Sequence, residues 1–422
     1  MPPKDFEYIE IAHKRAAEKK SHVSFPQLKY PSLRDEGLKD PTQWLIGKAM
    51  DDGAEGLWRV HNGLYDLNDF IHRHPGGEEW LELSKGTDIT EAFECHHINP
   101  SVWKILEKYY VRDAKAPRNS PFTFKDDGFY RSLKRAVAEE LKKVPSHVPR
   151  YSDNLMDGLL LTCLISSGLS CRLNNYWVVI VSYLIASISL TWVLVISHNY
   201  IHRKTNWRMY LFNLSMWSYR DFRVSHALSH HLYPNTLMDL EISGFEPMVF
   251  WNPRKQPALA NFAILIEQIV FPFNFILNFI RRYDFFTQHY RWHDGVSFLL
   301  PLSMWIISGE TISNVLYSWL WILCTAMIKA NQNPDWGMHE LEAVMDRTDV
   351  NKSFFTVMTF FGHHTLHHMF PTLDHAILSY LHPLFVEYCQ KFGANYRMTS
   401  SLDLFIGQIQ QTLKTDPTLL ED

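Results

Sequence analysis

His74–His97 reads HPGGEEWLELSKGTDITEAFECHH. Histidines stand at both ends. Pro75, Gly76 and Gly77 follow the first directly, and a Gly86-x-Asp88-x-Thr90 pattern lies between. A core helix or strand needs no such punctuation. Pro75 and the glycine pair force a sharp turn and strip away side-chain bulk, so a flat macrocycle can approach the backbone there. Residues 74 and 97 are too far apart in sequence to share a helix face. A helix–turn–helix layout instead sets two neutral imidazoles on opposite sides of one iron. Two strong axial ligands leave no open coordination position, so such a haem transfers electrons and binds oxygen poorly.

Working outward, GLYDLNDFIHRHPGGEEW followed by GTDITEAFECHHIN resembles the cytochrome b5 haem-binding domain, from Trp44 to about Arg112. The resemblance implies a small α+β fold and haem b held by His74 and His97, with Gly76 and Gly77 allowing its approach. The second ligand falls on His97 because b5-like domains fused to desaturases place it four residues after the phenylalanine, here Phe93. Its neighbour His96 remains the alternative, and His72 reads as a surface residue. Met50–Asn62, longer than the family pattern, reads as a surface insertion away from the haem. Glu78, Glu79, Glu82, Asp88, Glu91 and Glu94 surround the clamp. They form either a solvated acidic face or a steering surface for a basic electron partner. The resemblance implies an electron donor like NADH-cytochrome b5 reductase.

The whole chain has 422 residues, room for two or three domains, and a net charge of −4, which disfavours a broad polyanion-binding surface. Nothing points to nucleic acid. The five cysteines form no C-x-x-C pair, which argues against a disulfide framework or a structural zinc site. The opening MPPKDFEYIEIAHKRAAEKK has no apolar h-region, so no cleavable signal peptide is expected. Composition divides the chain into a polar tail (1–36), a haem-binding domain (37–114), a charged, proline-punctuated linker (115–150) and a membrane domain (151–422). The linker carries an amphipathic helix pattern at Tyr130–Lys143 and is expected near a membrane surface.

Gly158–Cys171 and Tyr176–Ser197 are apolar runs around RLNN, close to the ~20 residues that span a hydrocarbon core, and read as a helical hairpin. Ala258–Ile280, Gly295–Ser308 and Thr311–Ile328 follow. If His198 and His364 serve one site, an even number of crossings separates them, so one of these three does not cross. Ala258–Ile280 contains Glu267, Gln268, Pro272, Asn274 and Asn278, which are costly in hydrocarbon, and is assigned to the interface or the protein interior. The other two form a second hairpin. The expected architecture is thus a small α+β haem domain followed by an all-α membrane domain with two transmembrane hairpins. Arg203, Lys204, Arg208, Arg220 and Arg223 follow the first hairpin; Arg281, Arg282 and Arg291 precede the second. By the positive-inside rule the histidine-bearing segments face the cytoplasm.

Histidine is the compositional outlier, with 22 copies. SHNYIHRK places His198 and His202 on one helix face at i, i+4. SHALSHHLYPN supplies His226, His230 and His231; GHHTLHHMFPTLDH supplies His364, His367 and His368, with His363 and His375 nearby. Ionisable clusters just beyond apolar runs are functional candidates, and imidazole-rich sites suit iron, zinc or copper. The pattern H-x(3,4)-H, H-x(2,3)-H-H, H/Q-x(2,3)-H-H resembles the membrane fatty-acid desaturase and hydroxylase superfamily, over roughly Asp153 to Leu384. The resemblance implies two non-haem irons held by those eight histidines and by His339 of NPDWGMHE. The family's asparagine four residues before that last histidine is unmatched, because position 335 is Asp; Asp335 or Asn333 is the substitute. No catalytic residue is assigned beyond the ligands. YPN (Tyr233–Asn235) and DLE (Asp239–Glu241) read either as hydrogen-bonding support for the second box or as plain turns. Trp217, Trp251 and Trp336 read as interface anchors or tunnel-lining residues.

The two halves explain each other: breaking an unactivated C–H bond with O2 needs electrons delivered singly, and a tethered haem supplies them at high effective concentration. The expectation is a multi-pass oxidoreductase of the endoplasmic reticulum that introduces a double bond into an acyl chain carried on coenzyme A or a lipid. The rivals are hydroxylation at the same centre, an electron carrier whose desaturase-like half is inactive, and a membrane scaffold with incidental histidines.

Overall fold

The computed structural model describes residues 29–36, 40–171, 175–241, 291–326 and 344–413. Most of the polar tail, Ala258–Ile280, Trp251, Asn333, Asp335, Trp336 and His339 lie outside the described residues. The end of the tail, residues 29–36, is packed: the backbone N–H and Oγ of Ser32 donate to Asp51 at 2.8 and 2.9 Å.

The N-terminal domain begins with helix α1 (Pro41–Asp51), started by Pro41 and by the Asp40 carboxylate, which accepts from the N–H groups of Thr42 and Gln43. Strands β1 (Trp58–Val60), β2 (Gly63–Tyr65) and β3 (Tyr110–Asp113) make an antiparallel sheet in that order. A 3-10 turn (Asn68–Arg73) and helices α2 (Glu78–Ser84), α3 (Thr90–His96) and α4 (Val102–Leu106) lie between β2 and β3. Trp58, Val60, Leu67, Leu81, Phe93 and Leu106 fill this domain's core. Met50–Asn62 is therefore not a surface insertion. It contains β1, and Asp52, Ala54, Trp58, Arg59 and Val60 are buried. The Trp58 indole N–H donates to the Leu81 carbonyl at 3.1 Å, and only Glu55 and Gly56 of its turn are exposed. Charges of the segment are used internally: Asp52 pairs with buried Lys48 of α1 at 2.5 Å.

Helix α5 (Phe129–Glu140) overlaps the expected amphipathic segment, starting one residue before it, and buries Phe129, Tyr130, Leu133 and Val137, a stripe at helical spacing. That stripe joins one core with Trp44, Trp80 and Ala92 of the N-terminal domain and Leu228, Leu366 and Phe370 of the C-terminal domain. Residues 115–150 are thus a wedge between the two domains. The physical reason is the four-residue apolar stripe of that helix, which is buried against both domains.

The C-terminal domain is mostly helical. Helices α6 (Pro149–Ser170) and α7 (Tyr176–Ile201) pack along each other; at about 1.5 Å per residue they are long enough to cross a bilayer core. Among the described residues only α7 is both long and apolar enough for a span. A 3-10 segment (Trp207–Ser215) leads to α8 (Tyr219–Phe222), which runs into a π-helix (Arg223–His230). Helices α9 (Leu299–Ser308) and α10 (Ile312–Ala326) occupy the expected second hairpin, with 10 and 15 described residues. Leu161, Ile165, Val181, Leu184, Ile188, Leu302, Ile306, Leu316 and Leu320 on α6, α7, α9 and α10 are exposed, a density of apolar surface that marks a membrane or partner contact. Helices α11 (Phe354–Thr359), α12 (His364–Met369), α13 (His375–Lys391) and α14 (Ser401–Thr412) follow, with a parallel pair of β4 (Asp346–Arg347) and β5 (Met398–Thr399).

Candidate haem and metal sites

His74 closes the 3-10 turn Asn68–Arg73, and His97 closes α3. The His74 Nδ1–H group donates to the Gly77 carbonyl at 2.8 Å, and that of His97 to the Phe93 carbonyl at 3.1 Å. Each bond fixes the tautomer that leaves Nε2 as a lone-pair donor. The ring centres are 6.2 Å apart. An imidazole bound to a metal at about 2 Å has its ring centre roughly 3 Å from the ion, so two trans ligands have centres about 6 Å apart. The pair therefore fits one iron between them. Burial pushes His97 down to about 4, and also lowers His74 despite its bond to Gly77, so both are neutral near pH 7. His96 faces away, with its ring 5.1 Å from Trp80. His97, not His96, stands opposite His74. His72 is exposed and bonded to Glu78 at 2.7 Å.

Gly77 has φ +112°, and a Cβ there would come 2.1 Å from Oγ1 of Thr205. The Gly76 carbonyl accepts from the Thr205 N–H at 3.0 Å. The glycine turn thus also serves the contact with the C-terminal domain. Beside it Glu79, 7% exposed, accepts from Arg223 (2.7 Å), Tyr219 (3.1 Å) and Arg291 (3.2 Å) and pairs with Arg220 (3.3 Å). The Arg223 guanidinium lies 4.2 Å over the Trp80 ring and also donates to the Ile201 carbonyl, next to His202. Trp80 therefore sits between His96 and Arg223.

This contact revises the acidic face. Asp88 and Glu91 are buried against Arg118, and Glu94 against Arg131, Lys134 and His61. Burial alone would raise Glu94, but His61, Arg131 and Lys134 outweigh it and hold the carboxyl at about 2. With Glu79, four of the six acids are committed inside the molecule; Glu78 and Glu82 stay exposed.

The histidine boxes meet in the C-terminal domain. His198 lies on the last turn of α7 and His202 caps it. The second box is on the π-helix, where the His231 N–H reaches the His226 carbonyl five residues back at 2.8 Å. The third is on α12. Its Thr365 N–H and Oγ1 donate to buried Asp346 at 2.9 and 3.0 Å, and its entry turn holds Phe361 and His363 at positive φ.

The Nε2 atoms of His198 and His226 are 2.6 Å apart, of His202 and His198 2.9 Å, and of His231 and His226 3.0 Å. Nitrogens sharing one metal at about 2.1 Å stand roughly 3 Å apart in cis positions, so these four form a cage for one ion. The His367 ring lies 4.9 to 5.1 Å from His202, His231 and His198. A second group adjoins it: His368 is 3.9 Å from His231 of the first set, 4.5 Å from His364 and 5.3 Å from His230. Neither ring nitrogen of His364 or His367 has a hydrogen-bond partner among the described residues, although both side chains are buried. Buried imidazole nitrogens without hydrogen bonds fit metal ligation. Burial, reinforced by neighbouring imidazoles, drives His202, His231 and His367 far below the ordinary range, so they offer neutral nitrogens.

DLE does support the second box. Glu241 accepts from His226 Nδ1 at 2.8 Å, and Asp239 bonds His230 Nδ1 at 3.0 Å. Asp239 also accepts from the Asn235 N–H at 3.0 Å, and Tyr233 donates to Glu91 at 3.1 Å. Trp217 packs on Phe212 and Phe222. Sequence reasoning named Glu79 and Arg223 but not their pairing, and missed Asp346. Arg223 lay three residues before His226 and Glu79 at the start of a helix, but their pairing spans the domains. Asp346 belongs to a cluster with His363 and His382, yet its two oxygens already accept from Thr365, Asn351 and Tyr396.

Comparison with known proteins agrees with this geometry. The Fatty acid desaturase family profile matches residues 174–400, and the Cytochrome b5-like Heme/Steroid binding domain profile matches residues 48–115. The chain is 36% identical over 418 residues to the "Cytochrome b5-related protein" of Drosophila melanogaster, covering 92% of this chain and 95% of that one. It is 24% identical over 415 residues to the "Acyl-lipid (9-3)-desaturase" of Physcomitrium patens, covering 87% and 77%. Against "Cytochrome b5 type B" of Mus musculus it is 41% identical over 66 residues, 15% of this chain and 45% of that one. No solved structure matches. The first domain implies haem and the second implies iron. The chain belongs to the fatty acid desaturase family, as a member that carries a cytochrome b5-like domain ahead of its desaturase domain.

Proposed function

We propose that this protein is an O2-dependent membrane oxidoreductase that introduces a double bond into a lipid acyl chain. His74 and His97 would hold haem b. His198, His202, His226, His231 and His367 would hold one non-haem iron, and His230, His364 and His368, with His339, would hold the other. The observation that carries the reading is the convergence of four buried imidazole Nε2 atoms at 2.6 to 3.0 Å, in a chain that also carries a facing histidine pair of haem spacing.

The bound groups supply single-electron delivery and O2 activation; the chain does the rest. Glu241 and Asp239 orient His226 and His230 and raise their basicity. The box histidines are almost fully buried, which keeps bulk water from the reacting carbon. Glu79 and Arg223 hold the haem-bearing domain against the second box, so its distance from the iron site is fixed. Two hairpins, α6–α7 and α9–α10, would present their exposed apolar faces to the bilayer of the endoplasmic reticulum, with the histidines on the cytoplasmic side. Glu78 and Glu82 remain available to a reductase-like donor.

The test is fatty-acid analysis of cells expressing the wild type, His367→Ala or His74→Ala. The reading expects a new unsaturated lipid from the wild type and from neither variant. A wild type that carries haem and iron yet yields no new lipid contradicts it, and a hydroxylated product transfers the site to hydroxylation.

A further inference from the structure

We propose that α14 is an interfacial helix, laying one apolar side into the headgroup region of the bilayer beside α11. The proposal rests on the membrane reading above and extends it to a segment that carries no long apolar run.

Helix α14 has a regular start: the Asp403 N–H donates to Ser400 Oγ at 3.1 Å. Leu402, Phe405, Ile406 and Ile409 repeat at helical spacing, and Leu413 continues the row, its N–H bonded to the Ile409 carbonyl at 3.2 Å. An amphipathic helix of a packed domain turns such a row inward. This one does the reverse. The five side chains are 37 to 67% exposed, while Leu404, on the opposite side, is buried against the protein.

The attachment of α14 is polar. The Thr348 N–H donates to the Thr399 carbonyl at 2.9 Å, and the N–H and Oγ of Ser401 donate to Asp349 at 3.0 and 2.6 Å. The β4 segment therefore fixes the start of α14, and α11 follows β4 in the chain. On α11 the Phe355 ring lies 4.9 Å from Trp192 of α7, and the Phe354 ring lies 6.2 Å from Tyr151 of α6. Tyr151, Phe354, Phe355 and Phe360 are all exposed. The apolar row of α14 thus leads, through β4, to an exposed aromatic group seated on the two long helices.

That group stands at a definite height. At about 1.5 Å per residue, Tyr176 is about 24 Å from Trp192 along α7 and about 33 Å from His198. Tyr176 and Trp177 are exposed at the far end of the same helix. A hydrocarbon core of ~30 Å that starts there ends between Trp192 and His198, at the level of α11. Both levels then carry aromatic side chains, the anchors of a membrane–water interface. Helix α14 is tied to the histidine-bearing level, where a helix apolar on one side fits the boundary between headgroups and acyl chains. A second copy fits less well: one 12-residue helix offers less than the ~800 Å² that each partner of a stable dimer buries.

The experiment uses the full chain in phosphatidylcholine vesicles. Benzoylphenylalanine replaces Phe405, Ile409, Gly407 or Leu184, one at a time, and the products of ultraviolet crosslinking are identified by mass. Gly407 is the control on another side of α14, with open space where a Cβ would stand, and Leu184 is the exposed control on α7. The proposal expects lipid adducts at Leu184, Phe405 and Ile409, several-fold more than at Gly407. Adducts at Leu184 with none at Phe405 and Ile409 overturn the α14 assignment and leave the membrane reading standing. No lipid adduct at any position overturns that reading and the assignment together. Equal adducts at Gly407 overturn the orientation claimed for α14. A crosslink from Phe405 or Ile409 to a second copy, or to another segment of the same chain, assigns the row to that partner and overturns the proposal.

Discussion

The haem cleft and the histidine cluster solve the same problem, presenting neutral imidazole to iron, in opposite ways. In the cleft two histidines suffice, and each is oriented by a carbonyl within four residues of itself, Gly77 or Phe93. The cluster gathers imidazoles from α7, the π-helix and α12; Glu241 and Asp239 orient those of the second box, and Asp346 anchors the helix of the third through Thr365. The cleft is a local device that any sufficiently packed small domain can carry. The cluster exists only when the whole C-terminal domain is assembled, so its ligand geometry reports on the fold at long range.

The sharpest way to break this comparison is to remove one ligand from each side. His97→Ala is expected to abolish the haem absorbance and leave non-haem iron in place. His202→Ala is expected to do the reverse and to abolish any lipid product. Optical spectra and iron analysis on the same samples check both. Loss of both groups in either variant would mean that the two sites do not assemble independently.

Next in size is the clamp between the domains. Glu79→Ala leaves the fully buried Arg223 without its carboxylate, a change that typically costs about 3–5 kcal/mol. Calorimetry is expected to show a lower melting temperature, with the haem-bearing domain unfolding apart from the desaturase domain. A single unshifted transition would show that the shared apolar core alone sets the docking.

A smaller effect is expected at the carboxylates behind the second box. Glu241→Gln keeps the shape but weakens the acceptor for His226 Nδ1, and such partners typically contribute about 10–100-fold in metal affinity. Competition with a chelator measures it, and the haem absorbance should not move. The smallest effect is at the surface: Glu82→Gln, exposed on α2, should change stability by no more than about 0.5 kcal/mol. It should slow reduction of the haem by an external reductase only at low ionic strength. A large stability loss there would place Glu82 with Glu79 in the clamp.

What the sequence could reveal follows the same division. That His74 and His97 face each other was legible because the turn, the spacing and the aromatic neighbours all lie in one stretch, and the family resemblance pointed to His97 over His96 by its distance from Phe93. The eight box histidines were legible as a pattern. Which rings meet was not, because that His367 faces His198 and His202 while His368 stacks on His231 depends on how α12 crosses the π-helix. The clamp was invisible for the same reason: Glu79 and Arg223 are 144 positions apart. The segment read as a linker did show an amphipathic pattern, but not that its apolar stripe is buried between the two domains, because those partners lie far away in sequence. The surface insertion misled because Trp58 and Val60 are too few to announce a strand by alternation. His339 and Asp335 lie outside the described residues, so their part in the second set stays with the proposal.

The most direct test of two kinds of iron in one polypeptide is a count of total iron against porphyrin in the purified, folded full chain. The account expects about three irons for each bis-histidine haem. A ratio of one, in protein whose reduced spectrum shows the haem intact, would contradict it.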